Sequence, residues 1–261
     1  MGELLLEIHQ EIINVISKRE RAVLATIISS DGSTPRKAGA KMLIKEDGSF
    51  VGTVGGGGTE QKIRQKVVEV IKTGISQTVH FDLSGKDEAL EMICGGKMDI
   101  FLEPITPTET LYLFGAGHTS QSTGAIAKTL GFQVFVIDPR PEYNNSARFP
   151  DVDSLIVEDY ETAFSKLNVD ENSYIVIYTT GHVVDEQCLR FAVNTGARYI
   201  GMIGSNKKAK EVKENLLQDG ISRQQIDRIH SPIGVEIDAE TPGEIAISIL
   251  AEIIKVRHAS V

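Results

Sequence analysis

Apolar and polar positions divide this chain into two stretches that follow different rules. Between Glu3 and Lys18, Leu5, Ile8, Ile12, Val15 and Ile16 recur at helical spacing, which predicts a packing helix. Ala22 to Ser29 is a nearly continuous apolar run and is expected as a buried strand. Ala40 to Lys45 and Phe50 to Val54 are expected as two more, joined across Asp47-Gly48 as a hairpin. Thr59-Glu60 then opens a helix whose stripe is Ile63, Val67, Val68 and Ile71, and Gly74 stops it. Thr78 to Leu83 and Met98 to Glu103 are predicted strands, separated by a helical piece that ends at Cys94-Gly95-Gly96.

Pro104, Pro107 and the polar residues Thr106, Thr108 and Glu109 form a linker, and beyond it the pattern changes. Leu111 to Phe114, Gln133 to Ile137, Ser154 to Val157, Tyr174 to Thr179 and Tyr199 to Ile203 are short apolar runs with helical patterns between most of them. Such alternation predicts a parallel sheet covered on both faces. The last helix, Pro242 to Val256, begins with Pro behind a Thr241 cap. The expected fold class is α/β: a C-terminal Rossmann-like doubly wound parallel sheet over 107–261, preceded by a smaller α+β domain over 1–106.

A length of 261 residues suits two domains. No apolar run approaches the roughly 18 residues of a spanning helix, and the N-terminus shows no basic-then-apolar signal, so the protein is expected to be soluble, unprocessed and off the membrane. Cys94 and Cys188 lie outside any C-x-x-C spacing, which suggests neither a disulfide framework nor zinc, and a reducing cytoplasm fits. No H-x-x-x-H or H-x-H spacing supports a metal site. The net charge of -9 argues against a nucleic-acid partner, because such surfaces need clustered Lys and Arg. An anionic ligand must therefore be held by local donors.

Those donors are sought where strands end. Gly115-Ala116-Gly117-His118 joins an apolar run to a helix pattern, so its backbone can approach a phosphate at a positive helix start. Ser120 replaces the third glycine of the usual dinucleotide fingerprint. Asp138 closes the next strand and either holds a ribose hydroxyl or pairs with its neighbour in a solvated loop, while Arg140 can meet a phosphate. Gly181-His182 with Asp185 follows the fourth strand; in a 3-2-1-4-5 order His118 and His182 flank one crevice, as acid/base groups or as simple helix starts. Gly204, Ser205 and Lys207 form a third corner, with Ser205 as cap and lysines to attract a phosphate. Ser231-Pro232-Ile233-Gly234 is a fourth shaped loop.

In the first half, Gly55, Gly56 and Gly57 before Glu60 can form a nest of N–H donors, although no Gly-Lys-Ser/Thr follows and a phosphate-loop hydrolase is not indicated. Ser33 and Arg36 add donors in a loop stiffened by Pro35. Cys94, before two glycines, is either an accessible thiolate able to attack or carry sulfur, or a small buried residue. Cys188 reads as core.

Taken together, Gly32-Ser33-Thr34-Pro35-Arg36, Gly52-Thr53-Val54-Gly55-Gly56-Gly57 with Glu60, Cys94-Gly95-Gly96, Gly115-Ala116-Gly117-His118, Asp138-Pro139-Arg140-Pro141, Gly181-His182 with Asp185, Tyr199-Ile200-Gly201-Met202-Ile203-Gly204-Ser205 and Ser231-Pro232-Ile233-Gly234 resemble the XdhC/CoxI family, over about residues 12–255. These are accessory proteins of xanthine dehydrogenase and related molybdenum hydroxylases. The resemblance implies binding of the molybdenum cofactor (molybdopterin) as cargo, its sulfuration with a cysteine desulfurase as donor, and delivery to the apo-hydroxylase. A hydroxylase catalytic subunit is not implied, since its iron-sulfur centres need several cysteines each and this chain has two. The alternative is an NAD(P)-dependent oxidoreductase with His182 and Asp185 as acid/base partners. A non-catalytic nucleotide sensor is a third reading, and a homodimer is the commonest assembly.

Overall fold

Val23, Ala25 and Ile27 bury one face of a ten-residue strand while Ala22 and Leu24 bury the other, and this two-sided apolar pattern places β1 (Ala22–Asp31) inside a sheet. The computed structural model describes residues 2–83 and 95–259. It separates into two units, Met1–Pro107 and Thr108–Val261.

In the first unit, helix α1 (Gly2–Ser17) precedes β1, β2 (Lys41–Lys45), β3 (Phe50–Gly52), helix α2 (Gly57–Thr73), β4 (Gln77–Asp82) and β5 (Lys97–Ile105). The strands form an antiparallel sheet in the order β3-β2-β1-β5-β4. Ile63, Val67 and Val70 of α2 pack on the face made by Val23, Ala25, Ile27, Ile100 and Leu102. Ile8 and Val15 of α1 cover Ala22, Leu24 and Leu43 on the other. Each such fully buried aliphatic side chain contributes about 1.5–3 kcal/mol, so the two stripes account for much of what fixes the helices to the sheet. The Asp47-Gly48 hairpin is present, with the Lys45 N–H donating to Ser49 O at 2.9 Å. The predicted helical piece before Gly95, and Cys94 itself, lie outside the described residues.

The second unit runs β6 (Thr110–Phe114), α3 (His118–Thr129), β7 (Gln133–Ile137), β8 (Ser154–Ile156), α4 (Tyr160–Phe164), β9 (Ser173–Ile177), α5 (His182–Val193), β10 (Tyr199–Met202), α6 (Asn206–Gln218), α7 (Arg223–Ile226), β11 (Ile229–His230) and α8 (Pro242–His258). All its strands are parallel, in the order β11-β10-β9-β6-β7-β8. β6 and β9 are buried throughout, as strands covered on both faces must be. Leu111, Leu113, Val134 and Val176 pack with Ile249 and Ile253 of α8, while Phe114, Ile175 and Ile177 pack with Cys188, Leu189 and Val212 on the opposite side. This is the doubly wound α/β arrangement expected from the alternation of patterns. Cys188 is wholly buried, and burial pushes its thiol up.

The sequence reading did not include β11 or α7. A two-residue strand carries no period, and α7 is announced only by a Ser222/Gln225 capping box around four residues. No helix among the described residues is long and apolar enough to cross a membrane.

Candidate functional site

The strand order reverses between β6 and β9, so the chain leaves these neighbouring strands in opposite directions and opens a crevice at their carboxyl ends. Both ends carry glycine. Gly115 has φ +108°, and a β-carbon there would stand 2.7 Å from Tyr178 O, so only glycine lets the two strand ends close together. The ladder continues past the strands, with Gly115 N–H donating to Ile137 O at 2.8 Å and Tyr178 N–H to Phe114 O at 2.7 Å.

Helix α3 starts at Gly117 and α5 at Gly181, and neither start has a side-chain cap. By contrast α4, α6, α7 and α8 are capped by Asp159, Ser205, Ser222 and Thr241. A missing cap leaves N–H donors unsatisfied and costs about 1 kcal/mol. The two bare starts therefore face neighbouring strand ends, and each begins with an exposed histidine, His118 and His182.

Asp138 is buried, and its role differs from that of a ribose acceptor. Its Oδ2 accepts from Ala116 N–H at 2.8 Å and Arg140 Nη2 at 2.7 Å, and its Oδ1 from Arg140 N–H at 3.0 Å and Nε at 2.9 Å. A carboxylate offers about four acceptor positions, and this chain fills all of them. Burial works to raise this carboxyl, but the Arg140 and Ala116 hydrogen bonds hold it below the ordinary range. Arg140 is correspondingly committed to Asp138 rather than free for a phosphate. Asp138 does pair with its neighbour, but as a buried carboxylate and not in the solvated loop that was expected.

Asp185 is likewise fully buried. It accepts from Thr179 N–H at 3.1 Å and Thr179 Oγ1 at 2.5 Å, and it pairs with Lys208 of α6. The expected His182–Asp185 acid/base pair is therefore not formed: His182 opens α5 on its exposed side, and Asp185 faces inward. Lys207, chosen from the sequence, is exposed, and its neighbour Lys208 turns in. Gly204 gives it room, because a β-carbon there would stand 2.9 Å from Lys208 Cδ. Ser205 caps α6 by accepting from Lys208 N–H at 3.3 Å. Both lysines of this corner were expected to attract a phosphate, and Lys208 is instead taken by the Asp185 carboxylate.

The loop with Ser231 and Gly234 belongs to a different cluster. Ile233 lies over Gly201 of β10, and Gly234 N–H donates to Glu252 Oε2 at 2.9 Å. Glu252 also accepts from Tyr199 Oη at 2.5 Å and pairs with His230 Nδ1 at 3.0 Å. Burial works to raise Glu252, but these hydrogen bonds prevail and bring it down to about 2. A carboxyl depressed in the folded state adds stability above its unfolded value near 4.5 and loses it as pH falls toward 2, so about 2–3 kcal/mol is expected to disappear across that window. Urea titrations between about pH 5 and pH 2.5 should give a flatter profile for Glu252→Gln than for the parent. Parallel profiles would remove Glu252 as the source.

In the first unit, three distant segments meet. A β-carbon on Gly96 would stand 2.4 Å from Ser33 O and 2.5 Å from Asp31 O, so the Gly95-Gly96 backbone lies directly against the Ser33 loop. Pro35 sits 3.3 Å from where a Gly55 β-carbon would be, which brings that loop to the glycine run. Gly55, Gly56 and Gly57 all have positive φ, which favours glycine and is not the alternating-handed backbone of the expected N–H nest. Glu60 Oε1 accepts from Gly56 N–H at 2.9 Å and Thr53 Oγ1 at 2.6 Å, so that backbone donor is taken within the chain. Arg36 is exposed and borders a cavity of about 450 Å³ lined by Leu4, Leu5, Ile8, Pro35 and Lys41.

Comparison with known proteins follows this division. A model described as the XdhC Rossmann domain matches residues 111–253, and one described as the XdhC and CoxI family matches residues 15–82. YqeB of Escherichia coli K12 is 33% identical over 237 residues, covering 90% of this chain and 43% of YqeB, so the chain spans less than half the length of that relative. The Escherichia coli K12 molybdenum cofactor insertion chaperone PaoD is 21% identical, covering 94% of this chain and 86% of PaoD. A crystal structure of a Bacillus halodurans protein named a xanthine dehydrogenase superposes with a TM-score of 0.53 at 26% identity, covering 96% of this chain and 95% of that one. The match takes in every strand-end corner of the parallel sheet and most of the antiparallel one, and the chain belongs to the XdhC and CoxI family.

Proposed function

We propose that this protein is an accessory factor of a molybdenum hydroxylase, which binds the molybdenum cofactor, supports its sulfuration and delivers it to the apo-enzyme. The carrying observation is the pair of uncapped helix starts, α3 and α5, at the adjacent ends of β6 and β9. The cofactor is a pterin bearing a phosphate or a dinucleotide, and a phosphate supplies the acceptors that those N–H groups lack. The electrostatics agree. Asp138 is neutralised by Arg140 and Asp185 by Lys208, so neither of these carboxylates presents an unpaired charge to an anion, in spite of a chain charge of -9.

His118 and His182, first residues of the two helices, are placed to touch the cargo, and Gly115, Gly117, Gly181 and Gly204 shape its walls. PaoD, by name an insertion chaperone for this cofactor, supports the cargo assignment. Cys94 is the residue proposed for sulfur handling, with a cysteine desulfurase as donor and xanthine dehydrogenase or a related hydroxylase as recipient. A homodimer is the proposed assembly. A dehydrogenase reading draws less support, because the acceptor positions of Asp138 are taken by Ala116 and Arg140 and because Asp185 bonds to Thr179 and Lys208 instead of His182.

Protein purified from a host that makes molybdopterin is expected to release a fluorescent pterin derivative on acid oxidation, with His118→Ala lowering the yield several-fold. Cys94→Ala should keep the pterin and lose the ability to activate a desulfo-hydroxylase. Absence of pterin from the parent protein, also after reconstitution with the isolated cofactor, would remove the proposal.

A further inference from the structure

Helix α1 has more apolar surface than its packing uses. Ile8 and Val15 are buried and hold it to the sheet, yet Leu4, Leu5 and Leu6 form an exposed run at its start, with Leu6 exposed by 71%. Ile13, seven residues further on and so on the same face as Leu6, is exposed by 57%. A contiguous apolar patch of this kind on a surface helix marks a contact surface, because leaving it in water forfeits the burial energy its neighbours gain.

The two edges of α1 differ in charge. Glu3, Glu7 and Glu11 follow one another at four-residue spacing and, with Leu6, border one side. Glu11 is paired with Lys45, whereas Glu3 and Glu7 are exposed and have no ion pair among the described residues. Two residues apart on a helix, Leu5 and Glu7 point to nearly opposite sides. On the Leu5 side lies the cavity of about 450 Å³ between the helix and the loop before β2. Among the described residues Arg36, Lys37 and Lys41 line it and no acidic residue does, in a chain with 36 acids against 27 bases. Lys37 donates to Gly32 O and Lys41 to Thr26 Oγ1, but the Arg36 side chain has no partner among the described residues.

We propose that α1 and this cavity together form a self-complementary surface by which the protein pairs with a second copy of itself. In the pair, Leu6 of one copy lies over the cavity of the other, and the edge carrying Glu3 and Glu7 meets the other copy's Arg36 and Lys37. The arrangement closes under two-fold symmetry. Because the acidic edge and the basic loop flank the same helix on opposite sides, each helix occupies the groove between helix and loop of the other copy, and both contacts form at once. A leucine-lined centre with rims of unlike charge is the anatomy of a specific interface, and the unlike charges fix its register.

This inference rests on the homodimer proposed above, names its interface, and does not involve the cargo. Sedimentation of the 261-residue chain over a micromolar concentration series is expected to show twice the chain mass. Leu6→Asp, folded by circular dichroism, should raise the dimer Kd about a hundredfold or more, because an apolar anchor is lost twice in a two-fold interface. Arg36→Glu/Lys37→Glu and Glu3→Arg/Glu7→Arg should each weaken the dimer about tenfold or more by setting like charges against one another. Mixed in equal amounts, these two variants restore both rims in a heterodimer, so the parent mass and affinity should return; misfolding of either variant gives no such rescue. A dimer unchanged by Leu6→Asp, or a mixture that pairs no more tightly than its components, overturns the interface and leaves the homodimer standing. If Leu6→Asp does not fold, the mixture decides. Species that grow beyond the dimer with concentration overturn the two-fold closure. A parent that stays monomeric overturns interface and homodimer together, and octanoate binding to that monomer, lost in Arg36→Glu/Lys37→Glu, assigns the cavity to a small apolar anion instead. Pterin release is read on the parent separately, so the cargo and the interface stand or fall independently.

Discussion

Lys208→Met is expected to destabilise the parallel-sheet unit by about 3–5 kcal/mol, because it leaves the wholly buried Asp185 carboxylate with only the two Thr179 donors. The loss is one-sided. Removing both charges in an Asp185→Leu/Lys208→Met double variant replaces an ion pair by apolar groups, and the cost should then be smaller than that of Lys208→Met alone. Denaturant midpoints of the four proteins form a thermodynamic cycle, and a coupling of roughly 1 kcal/mol or more is expected between residues in direct contact. Strict additivity would show that the two side chains do not hold one another. The functional consequence is local: this pair ties the start of α5 to the first turn of α6, so freeing it loosens the walls of the proposed ligand crevice.

Asp138→Ala is expected to cost about 3 kcal/mol, toward the lower end for a broken buried pair, because Arg140 is one-third exposed and regains water when its partner is lost. Ala116 N–H regains nothing. It lies in the buried turn between β6 and α3, and without the carboxylate it becomes an orphan donor. Asp138→Asn keeps one acceptor for that N–H and should recover part of the loss. Thermal or urea unfolding followed by circular dichroism measures both, and an Asp138→Ala variant within about 0.5 kcal/mol of the parent would mean that the carboxylate does not organise the turn. Pterin occupancy is expected to fall with stability, because the residue that loses its anchor is part of the glycine corner.

Much of the architecture was legible as pattern. The alternating strands and helices after residue 108 have a period that local steric and burial preferences impose, and the buried runs of β6 and β9 can be read before any contact is known. β11 escaped because two residues have no period. The corners were legible as positions, since glycine at 115, 181 and 204 marks places where a side chain would strain a turn or obstruct a neighbour. Their partners were not. Glu60 occupying the Gly56 N–H, Lys208 in place of Lys207, and Asp138 spent on Arg140 all concern which polar atom finds which, and nothing in spacing along the chain decides that.

By itself, then, the sequence determined the type and order of the longer elements, the parallel character of the second sheet, one hairpin of the first, and the glycine-bearing strand ends, because these follow from short-range conformational preference and from the need to bury apolar faces. Tertiary structure alone decided that Asp138, Asp185 and Glu60 are internally satisfied while the starts of α3 and α5 are not. A hydrogen bond tolerates only a few tenths of an ångström in the distance between its atoms, and groups such as Asp185 and Lys208, 23 residues apart, reach that distance only once the sheet order has made their strands neighbours.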